Sequence, residues 1–365
     1  MDPAPSRPVA RARHARILRE LELRGSVRAS EVAARLGVAE ITIRRDITTL
    51  AEGGHLVRVH GGAVPVLGAA RPVPARIPVG VVLPGTGSHF PGIARGVDAA
   101  AAGQHARAVL ATTGYRADVE RRQVRRLVDL GVEGLVIAPT LRDRSAADLT
   151  AMLAEVPVPV VIVERRLEGS AALAGRDWVG TDHGRGALLA LEHLARAGHD
   201  AVGLAWLERT PTAGALREGY GRAVAHLGLR PAPTRPLPKD DDGAEDPAVR
   251  ALECFLDDCL DQGVGAALVH TDFHASRLVE IALDRGLRVP EDLAVVAYDD
   301  EFADLCIIPL TAVSPPGREI GALALRTILD RLRAEDGEIG TPRHVQVLPH
   351  LEVRRSTPAG EPPPA

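Results

Sequence analysis

The sequence predicts an α/β protein in which a small, mostly helical N-terminal domain precedes a larger body of parallel β-sheets. The length is the first observation, because 365 residues exceed what one hydrophobic core supports and indicate two or three domains. The second is the alternation of apolar strands with amphipathic helices after about residue 79, which is typical of doubly wound parallel sheets. The third is charge. Residues 1–78 hold 13 Arg and 7 acidic residues, a net of +6, whereas the remaining residues carry a net of −10.

The composition argues against membrane, disulfide and metal chemistry. Hydrophobic residues make up 45% of the chain and charged residues 25%, which describes an ordinary globular protein. The sequence has no run of 18 apolar residues and no signal-peptide pattern, so we expect a cytoplasmic protein without a membrane partner. Cys254, Cys259 and Cys306 are odd in number and lack CxxC spacing, which indicates reduced thiols. We therefore expect neither a metal nor a cofactor.

The first 63 residues predict three helices and a β-hairpin. Apolar periodicity indicates helices over about 9–24, 30–37 and 39–52, with Ser30 as the N-cap of the second. The segment HLVRVHGGAV (55–64) alternates like a strand and turns on a Gly-Gly pair, forming a two-stranded wing. Three helices and a wing in some 55 residues are the layout of a winged helix-turn-helix domain. Its positive charge is what a polyanion binder requires.

The third helix has the character of a recognition helix. If Ile43, Ile47 and Leu50 face inward, the polar side chains must point away from the core, on a helix narrow enough for a major groove. With the wing, we predict that DNA is contacted by Ser30, Glu40, Thr42, Arg44, Arg45, Thr48, Arg58, His60 and Gly61. The alternative is that the arginine pair only forms ion pairs with Glu40 or Asp46. The sequence does not assign which arginine reads bases.

The rest of the chain divides into a linker and a two-lobed body. Residues 64–78 contain four prolines and predict an extended, semi-rigid linker. Buried strands such as VGVVLP (79–84), PVVIVE (159–164) and LAVVAYDD (293–300) recur between helices in the body. Some 280 residues are too many for one such sheet, so two lobes are expected. The termini, 1–8 and 358–365, are predicted to be disordered.

The head resembles the DeoR-type regulators. In these proteins a pattern close to V-S-x-x-T-I-R-R-D-L is followed by a glycine-rich wing that ends R-V-H-G-G-A, and Val38, the run TIRRD (42–46) and RVHGGA (58–63) match it. One position departs, because Ala39 stands where the family has serine, so a side-chain N-cap is missing. The resemblance implies a double-stranded DNA operator as partner.

The body resembles a different family, the LacI/GalR sensors, which have a periplasmic-binding-protein-like fold with a ligand cleft between two lobes. The matching pieces include VGVVLPGTGSHFPGIARGVDAAA, WVGTDHGRGALLALEHLARAGHDAVGL and TDFHASRLVEIALDRGLRVPEDLAVVAYDD, in the family order. The resemblance implies a body over 79–357, with an N-lobe of about 79–178 and 313–335 and a C-lobe of about 179–312 and 343–355.

The resemblance and the strand ends together predict the ligand site. Open α/β sheets bind ligands beyond the carboxyl ends of their strands, where carboxylates can accept hydrogen bonds from paired hydroxyls. The alternatives are that Phe90 is plain core and that Asp272 only caps the next helix. The usual arginine of the family is replaced by Leu216, which leaves two nearby arginines as candidates. The predicted ligand-binding residues are His89, Phe90, Glu164, Arg209, Arg217, Asp272, Phe273 and Asp299.

These observations predict a homodimeric, ligand-responsive transcriptional regulator, a repressor of carbohydrate uptake or catabolism with a sugar, polyol or nucleoside effector. By resemblance, the dimer contact would involve helices near 92–103 and 120–130. The prolines of the linker predict that no hinge helix enters the minor groove. Two alternatives stay open: a sugar-binding enzyme or kinase with an incidental DNA-binding head, for which no catalytic set of residues is found, and a regulator whose body only dimerises.

Overall fold

The structure is a computed structural model of the chain, and it describes residues 10–64, 76–85, 89–142, 144–165, 175–238, 247–334 and 341–358. Most of the proline-rich linker, with its predicted lack of a hinge helix, lies outside these residues. The predicted disordered tails lie outside them too, apart from Pro358. Among the described helices, none has the length and apolar character needed to cross a bilayer.

The head consists of three helices and a three-stranded antiparallel sheet in the order β1-β3-β2. A shared core joins the helices to the sheet and includes Ile17, Val32, Ile43, Ile47 and Leu56. The elements are α1 (Ala10–Arg24), β1 (Val27–Arg28), α2 (Ala29–Leu36), α3 (Glu40–Glu52), β2 (Val57–Val59) and β3 (Gly62–Val64).

The head differs from the sequence-based prediction at the start of α2. That helix begins at Ala29 after a short strand that the pattern did not indicate, so Ser30 lies in its first turn and the prediction that Ser30 is the N-cap was wrong. Strand β1 pairs with β3 so closely that a Cβ on Gly62 would lie 1.9 Å from the carbonyl oxygen of Val27. Helix α3 follows Ala39, which gives no side-chain cap, as its missing hydroxyl requires.

The N-lobe is built on a six-stranded sheet in the order β14-β8-β7-β6-β4-β5, in which every pairing is parallel. Helices α4 (Phe90–Ala102) and α11 (Gly317–Arg333) cover one face, and α5 (Ala117–Asp129) and α6 (Ala146–Ala154) contribute to the core on the other. The N-lobe elements up to the first crossover are β4 (Ile77–Leu83), α4 (Phe90–Ala102), β5 (Ala106–Thr112), α5 (Ala117–Asp129), β6 (Gly134–Ile137), α6 (Ala146–Ala154), β7 (Val160–Val163) and β8 (Asp177–Thr181).

The C-lobe is built on a second six-stranded sheet in the order β10-β9-β11-β12-β13-β15, parallel except for its last strand. The remaining elements are α7 (His183–Arg196), β9 (Gly203–Leu207), α8 (Pro211–Leu227), β10 (Thr234–Leu237), α9 (Pro247–Asp261), β11 (Ala266–His270), α10 (Asp272–Asp284), β12 (Ala294–Tyr298), β13 (Thr311–Ser314), α11 (Gly317–Arg333), β14 (His344–Val347) and β15 (His350–Glu352).

The chain crosses between the two sheets after β8, after β13 and between β14 and β15. Residues 343–355 were expected in the C-lobe, but β14 pairs with β8 and therefore extends the N-lobe sheet. Asp177 fixes this edge, because its carboxylate accepts hydrogen bonds from the side chain of Arg331 and the backbone N–H of Arg343. The N-lobe was also expected to resume at 313, inside β13, which pairs with β12 of the C-lobe.

Candidate effector cleft and DNA interface

A cavity of about 630 Å³ lies between the two lobes, at the carboxyl ends of strands from both sheets. This volume is within the range of small-molecule sites, and such a position is where open α/β sheets bind ligands. The N-lobe contributes His89, Phe90, Tyr115, Thr140, Leu141, Arg142, Glu164 and Arg165, and the C-lobe contributes His183, Leu207, Arg209, Thr210, Pro211, Thr212, His270, Thr271 and Asp299, with Pro315 at a crossover.

Five of the eight residues predicted to bind a ligand line this cavity: His89, Phe90, Glu164, Arg209 and Asp299. They come from four separate segments of the chain and from both lobes. The structure therefore brings these five side chains to one wall or the other of a single cleft.

Glu164 lies at the centre of a hydrogen-bonded network inside the cleft. Its Oε1 is 2.7 Å from both His89 Nε2 and Thr181 Oγ1, and its Oε2 is 3.5 Å from His183 Nε2. Burial opposes ionisation, but the charge of His89 and the hydrogen bonds from both histidines outweigh it, so the pKa of Glu164 is held well below its usual range. Glu164 was expected to accept hydrogen bonds from ligand hydroxyls. In this structure its oxygens accept from protein side chains instead.

The same network fixes the two histidines and links the lobes. Burial disfavours the charged form of His89, but the Glu164 carboxylate outweighs this and raises the pKa of His89. His183 starts α7 in the C-lobe, and its Nδ1 is 3.0 Å from the hydroxyl of Tyr298, the last residue of β12. Tyr298 is fully buried and lies against Gly186, where a Cβ would be 2.4 Å from the tyrosine oxygen. Glu164 of the N-lobe is thus connected to the C-lobe sheet through His183.

Asp299 is the acceptor that the cleft leaves open. Its carboxylate has no hydrogen-bond partner within the described parts of the chain, and it lies directly after β12. Burial, only partly offset by the charge of His89, raises the pKa of Asp299 to about 6. A carboxylate in this setting gains from a ligand that donates hydrogen bonds to it.

Several cleft residues have strained backbones. Tyr115, Glu164, Arg209 and Asp299 have φ values of 58°, 58°, 56° and 100°, in the left-handed region that favours glycine. Such conformations cost free energy and persist where the surrounding structure holds them, commonly at ligand sites. Four of the six non-glycine residues of this kind in the described chain line the one cleft, so this part of the fold is shaped for something other than stability.

Three predicted ligand residues do not reach the cleft wall. Asp272 is 1% exposed, and its carboxylate accepts backbone N–H groups from Asp300, Glu301 and Phe302 at 3.1, 2.6 and 3.1 Å. Asp272 therefore anchors the loop after Asp299. It does not bind at the cleft wall as predicted, and it does more than cap the next helix.

Arg217 and Phe273 point elsewhere. The guanidinium of Arg217 stacks over Trp206, with its Cζ 4.7 Å from the ring centroid, beside a separate surface hollow. Phe273 is exposed at the start of α10. The prediction for Arg217 was wrong because of helical periodicity. Leu216, at the family's arginine position, is fully buried in the C-lobe core, and Arg217, one residue later, is turned away from it.

Sequence reasoning missed Tyr115, Arg142, Arg165, His183 and His270, which also line the cleft. A signal existed for Arg165 and His183, because each stands two residues beyond a buried strand, in VERR and VGTDH. Arg142 and Tyr115 lie on loops whose approach to the cleft depends on tertiary packing, so no local pattern indicates them.

In the head, helix α3 and the wing form a groove of about 360 Å³ that includes Arg44, Thr48, Arg58, His60 and Gly61. Arg58 Nη1 is 3.3 Å from Thr48 Oγ1, which ties the wing to the helix. The other four predicted DNA-binding residues, Ser30, Glu40, Thr42 and Arg45, are at least partly exposed but do not line this groove.

The two arginines of α3 differ in their contacts. Arg44 pairs with Glu40, with Nη2 2.6 Å from Oε1. The alternative of an ion pair with Glu40 therefore describes Arg44 in the unbound head. Arg45 is exposed and has no ion-pair partner in the described chain. Asp46 is buried and bonds to Arg13 and His14 of α1, so it orients α1 rather than either neighbouring arginine.

The anchoring role of Asp272 predicts a stability effect. Asp272→Ala should lower the free energy of unfolding by about 2–4 kcal/mol, because buried N–H groups of the 300–302 loop would lose their acceptor. Urea unfolding followed by circular dichroism measures this. Asp304→Ala, an exposed position in the same region, is the control and should change stability by less than about 0.5 kcal/mol. Equal stability of the two variants would contradict the anchoring role.

Comparisons with known proteins agree with this two-part architecture. A sequence model described as a DeoR-like helix-turn-helix domain matches residues 13–66, and one described as a periplasmic binding protein-like domain matches residues 191–357. The transcriptional regulator CelR in complex with cellobiose has a similar structure, with a TM-score of 0.63 and 25% identity over 90% of this chain and 99% of that one. The lac repressor dimer bound to operator, at 22% identity and a TM-score of 0.60, shares the fold.

Curated relatives extend over most of the chain. The HTH-type transcriptional regulator MalR of Streptomyces coelicolor is 29% identical over 349 residues, which are 91% of this chain and 97% of the relative. The arabinose metabolism transcriptional repressor of Geobacillus stearothermophilus is 26% identical and covers 90% of both chains. These relatives are regulators, in agreement with the prediction of a regulator and not an enzyme. The chain is therefore a transcriptional regulator that joins a DeoR-like helix-turn-helix domain to a periplasmic binding protein-like domain.

Proposed function

We propose that this regulator is a cytoplasmic repressor of carbohydrate genes, and that a small sugar or polyol bound between its lobes sets its affinity for DNA. The observation that carries the proposal is the open carboxylate of Asp299 in a cleft with walls from both lobes. Phe90 lines the same cleft but is 5% exposed, belongs to the N-lobe core and is covered by Arg165, so it contributes apolar wall rather than an open stacking face. The names of relatives support the ligand class, since CelR was solved with cellobiose and one relative is an arabinose metabolism repressor.

The head is proposed to bind an operator through α3 and the wing. Arg45 and Arg58 are exposed cations on these two elements, and Arg44 can exchange Glu40 for a phosphate or a guanine edge. His60 and the neighbouring Gly61, whose φ is 79°, form the tip of the wing and bring backbone close to the DNA. Ser30, Thr42 and Thr48 remain candidate contacts to phosphate.

A single recognition helix reads few base pairs, so the regulator is proposed to act as a homodimer on paired half-sites. The helices predicted to form the contact, α4 and α5, have a partly charged outer surface, with Arg121, Arg122, Arg125 and Arg126 exposed on α5. The C-lobe offers a more apolar surface, which we call the C-lobe patch and which comprises Phe273, Phe302, Leu305 and Ile307. Leu305 and Ile307 are 80% and 70% exposed, so we propose that this patch contributes to the dimer.

Coupling between cleft and head requires a path and two states with unequal ligand affinity. The network from His89 through Glu164 and His183 to Tyr298 joins the lobes, so a ligand that closes the cleft changes how the lobes meet. The head touches the N-lobe where Arg24, at the end of α1, donates a hydrogen bond of 2.8 Å to the carbonyl of Gly131. A movement of the N-lobe turn at Gly131 therefore acts directly on α1.

The DNA-binding role predicts a strong effect of the arginine pair. Arg44→Ala with Arg45→Ala should weaken operator binding by about 2–4 kcal/mol and reduce its dependence on salt, because phosphate or base contacts are lost. Fluorescence anisotropy with an operator duplex over a salt series measures both. Arg222→Ala is the matched control, since Arg222 pairs with Glu218 at the same spacing but lies on α8 of the body. A double variant that binds like the control would contradict this role.

The C-lobe patch predicts a change of oligomeric state. Leu305→Asp with Ile307→Asp should give a monomer that binds a full operator at least tenfold more weakly, because charge is placed in an apolar contact. Analytical ultracentrifugation gives the mass. The control is Leu348→Asp, a 62% exposed leucine between β14 and β15. If the double variant remains a dimer, the C-lobe patch does not form the dimer contact.

The ligand class is tested by a thermal-shift screen of sugars, polyols and nucleosides on the full chain, because a cleft ligand stabilises the folded state by mass action. At least one sugar or polyol should raise Tm, and Asp299→Asn should abolish the shift while Asp304→Asn keeps it. A body that only dimerises would give no shift with any compound. Turnover of a sugar would instead favour the enzyme alternative.

A further inference from the structure

Arg165 is a buried cation on the cleft wall without a carboxylate partner. It follows Glu164 directly after β7, is 5% exposed, and lines the cavity. Its Nε donates to the carbonyl of Pro139 at 3.2 Å and its Nη1 to that of Glu164 at 3.4 Å. Burial lowers the pKa of Arg165, yet a guanidinium stays protonated at neutral pH. These two carbonyl oxygens accept hydrogen bonds from Nε and Nη1, but they do not neutralise the charge.

The charge of Glu164, like that of Glu120, raises the pKa of Arg165, but less than burial lowers it, and neither acid forms an ion pair with it in the described chain. The carboxylate of Glu164 is turned toward His89, Thr181 and His183, and in the described chain it forms no ion pair with Arg165. Instead, the Arg165 guanidinium stacks over Phe90, with its Cζ 5.2 Å from the ring centroid. Buried charges are normally paired, because an unpaired charge loses its hydration and gains no opposite charge to offset that cost. A buried, unpaired guanidinium that faces a ligand cleft therefore indicates an anionic ligand.

Two further guanidiniums face the cleft from opposite lobes. Arg142 lies on the N-lobe loop after β6, and Arg209 follows β9 of the C-lobe. Both are exposed, and neither has a hydrogen-bond or ion-pair partner among the residues that the structure describes. When the cleft closes, these two like charges approach each other, which opposes closure unless an anion lies between them.

The loop that carries Arg142 is held in place by a buried carboxylate. Glu120 is fully buried, accepts the backbone N–H of Thr140 at 2.7 Å and pairs with Arg144. Residues on both sides of Arg142 are thus anchored to α5, while its own guanidinium stays open. The fold therefore holds the Arg142 loop in position at the cleft.

The charge balance of the cleft lining favours the same conclusion. Three guanidiniums face two carboxylates, and Glu164 is already engaged by histidines. His270 adds no charge, since burial and, to a smaller extent, the neighbouring His183 and His274 lower its pKa to about 3. Its ring is 2% exposed, lines the cavity and has an Nδ1 without a hydrogen-bond partner in the described chain, which suits a neutral polar group of a ligand.

The nearby helix terminus is not the source of anion binding. Helix α8 begins with Pro211, which has no N–H, and the Thr210 side chain already accepts the N–H of Ala213 at 3.2 Å. Few backbone donors therefore remain there. The arginine side chains are the groups that would bind the anion.

We propose that the effector is an acidic sugar or polyol, whose carboxylate or phosphate binds among Arg142, Arg165 and Arg209 while its hydroxyls face Asp299 and His270. The inference rests on the proposed function, because it specifies the ligand of the same cleft. An oxyanion there neutralises the buried charge and allows the two lobes to approach. A neutral sugar would fill the cleft but leave the three cations unpaired.

The test compares matched ligands on the full chain by isothermal titration calorimetry at fixed ionic strength. The sets are glucose, glucuronate and glucose 6-phosphate, the corresponding galactose set, cellobiose with cellobionate, and inorganic phosphate alone. Within at least one set, an acidic member should bind at least tenfold more tightly than its neutral counterpart, with an advantage that shrinks as salt rises. The carboxylate and phosphate members distinguish the two sources of anion.

Variants assign the preference to the arginines. Arg142→Gln with Arg209→Gln should lose at least tenfold in affinity for the acidic ligand and much less for the neutral one, so that the ratio of the two affinities falls toward one, and the fold should persist because both side chains are exposed. Arg217→Gln, an exposed arginine outside the cleft, should change neither affinity. Arg165→Met, checked for folding by circular dichroism, should lose the acidic preference as well.

Three outcomes would overturn the inference. Neutral sugars that bind as tightly as their acidic counterparts would refute it while the proposed function stands. If inorganic phosphate binds as tightly as the sugar phosphates, the hydroxyl groups contribute nothing and the ligand is not a sugar or polyol. If no ligand of either kind binds to the cleft, the proposed function fails along with the inference.

Discussion

The carboxylate of Glu164 is the contact on which the arrangement of the cleft depends. It takes hydrogen bonds from His89 at the start of α4, Thr181 at the end of β8 and His183 at the start of α7. These three residues belong to separate elements, and the last begins the first helix of the C-lobe. An unpaired carboxylate at this depth would be costly, so the three partners are held close to Glu164 as long as the body is folded.

The position of this network explains how a ligand can act at a distance. The two lobes are joined by three crossovers, and the network lies beside the one after β8. A ligand between the lobes therefore acts next to a point about which they can move, in the manner of a hinge. On the far side of the N-lobe, Gly131 meets Arg24 of the head, so the body and the DNA-binding domain are in direct contact even apart from the linker. The surrounding fold holds Glu164, Arg209 and Asp299 in strained backbone conformations, as is common at ligand sites.

Much of this architecture could be predicted from the sequence, because local patterns determine it. Apolar periodicity and the glycine-rich wing were enough to predict α3 and the hairpin, and the rule that ligands bind at strand ends placed Glu164 and Asp299 at the cleft. The errors have physical causes. Asp272 also follows a strand, but its oxygens are used by a loop 28 to 30 residues later in the chain, which no local pattern shows.

The missed cations illustrate the same limit. Arg165 adjoins Glu164 in sequence, yet its burial against Phe90 arises only when β7 and α4 pack together. Arg142 faces the cleft because Glu120, more than 20 residues earlier, anchors its loop on both sides. Likewise β14 joins the N-lobe by pairing with β8, at an edge where Asp177 contacts residues over 150 positions away. Charge and burial in a cleft are tertiary properties, so they become visible only in the folded chain.

The central claim is that one ligand in the cleft changes the affinity of the head for DNA. The most direct measurement is the Kd of the tightest-binding ligand for the full chain, by calorimetry, with and without a saturating operator duplex. Coupling is reciprocal, so the account predicts that operator DNA changes the ligand Kd at least fivefold, and that the ligand changes the operator Kd by the same factor. A ligand Kd that is the same with and without operator would contradict it.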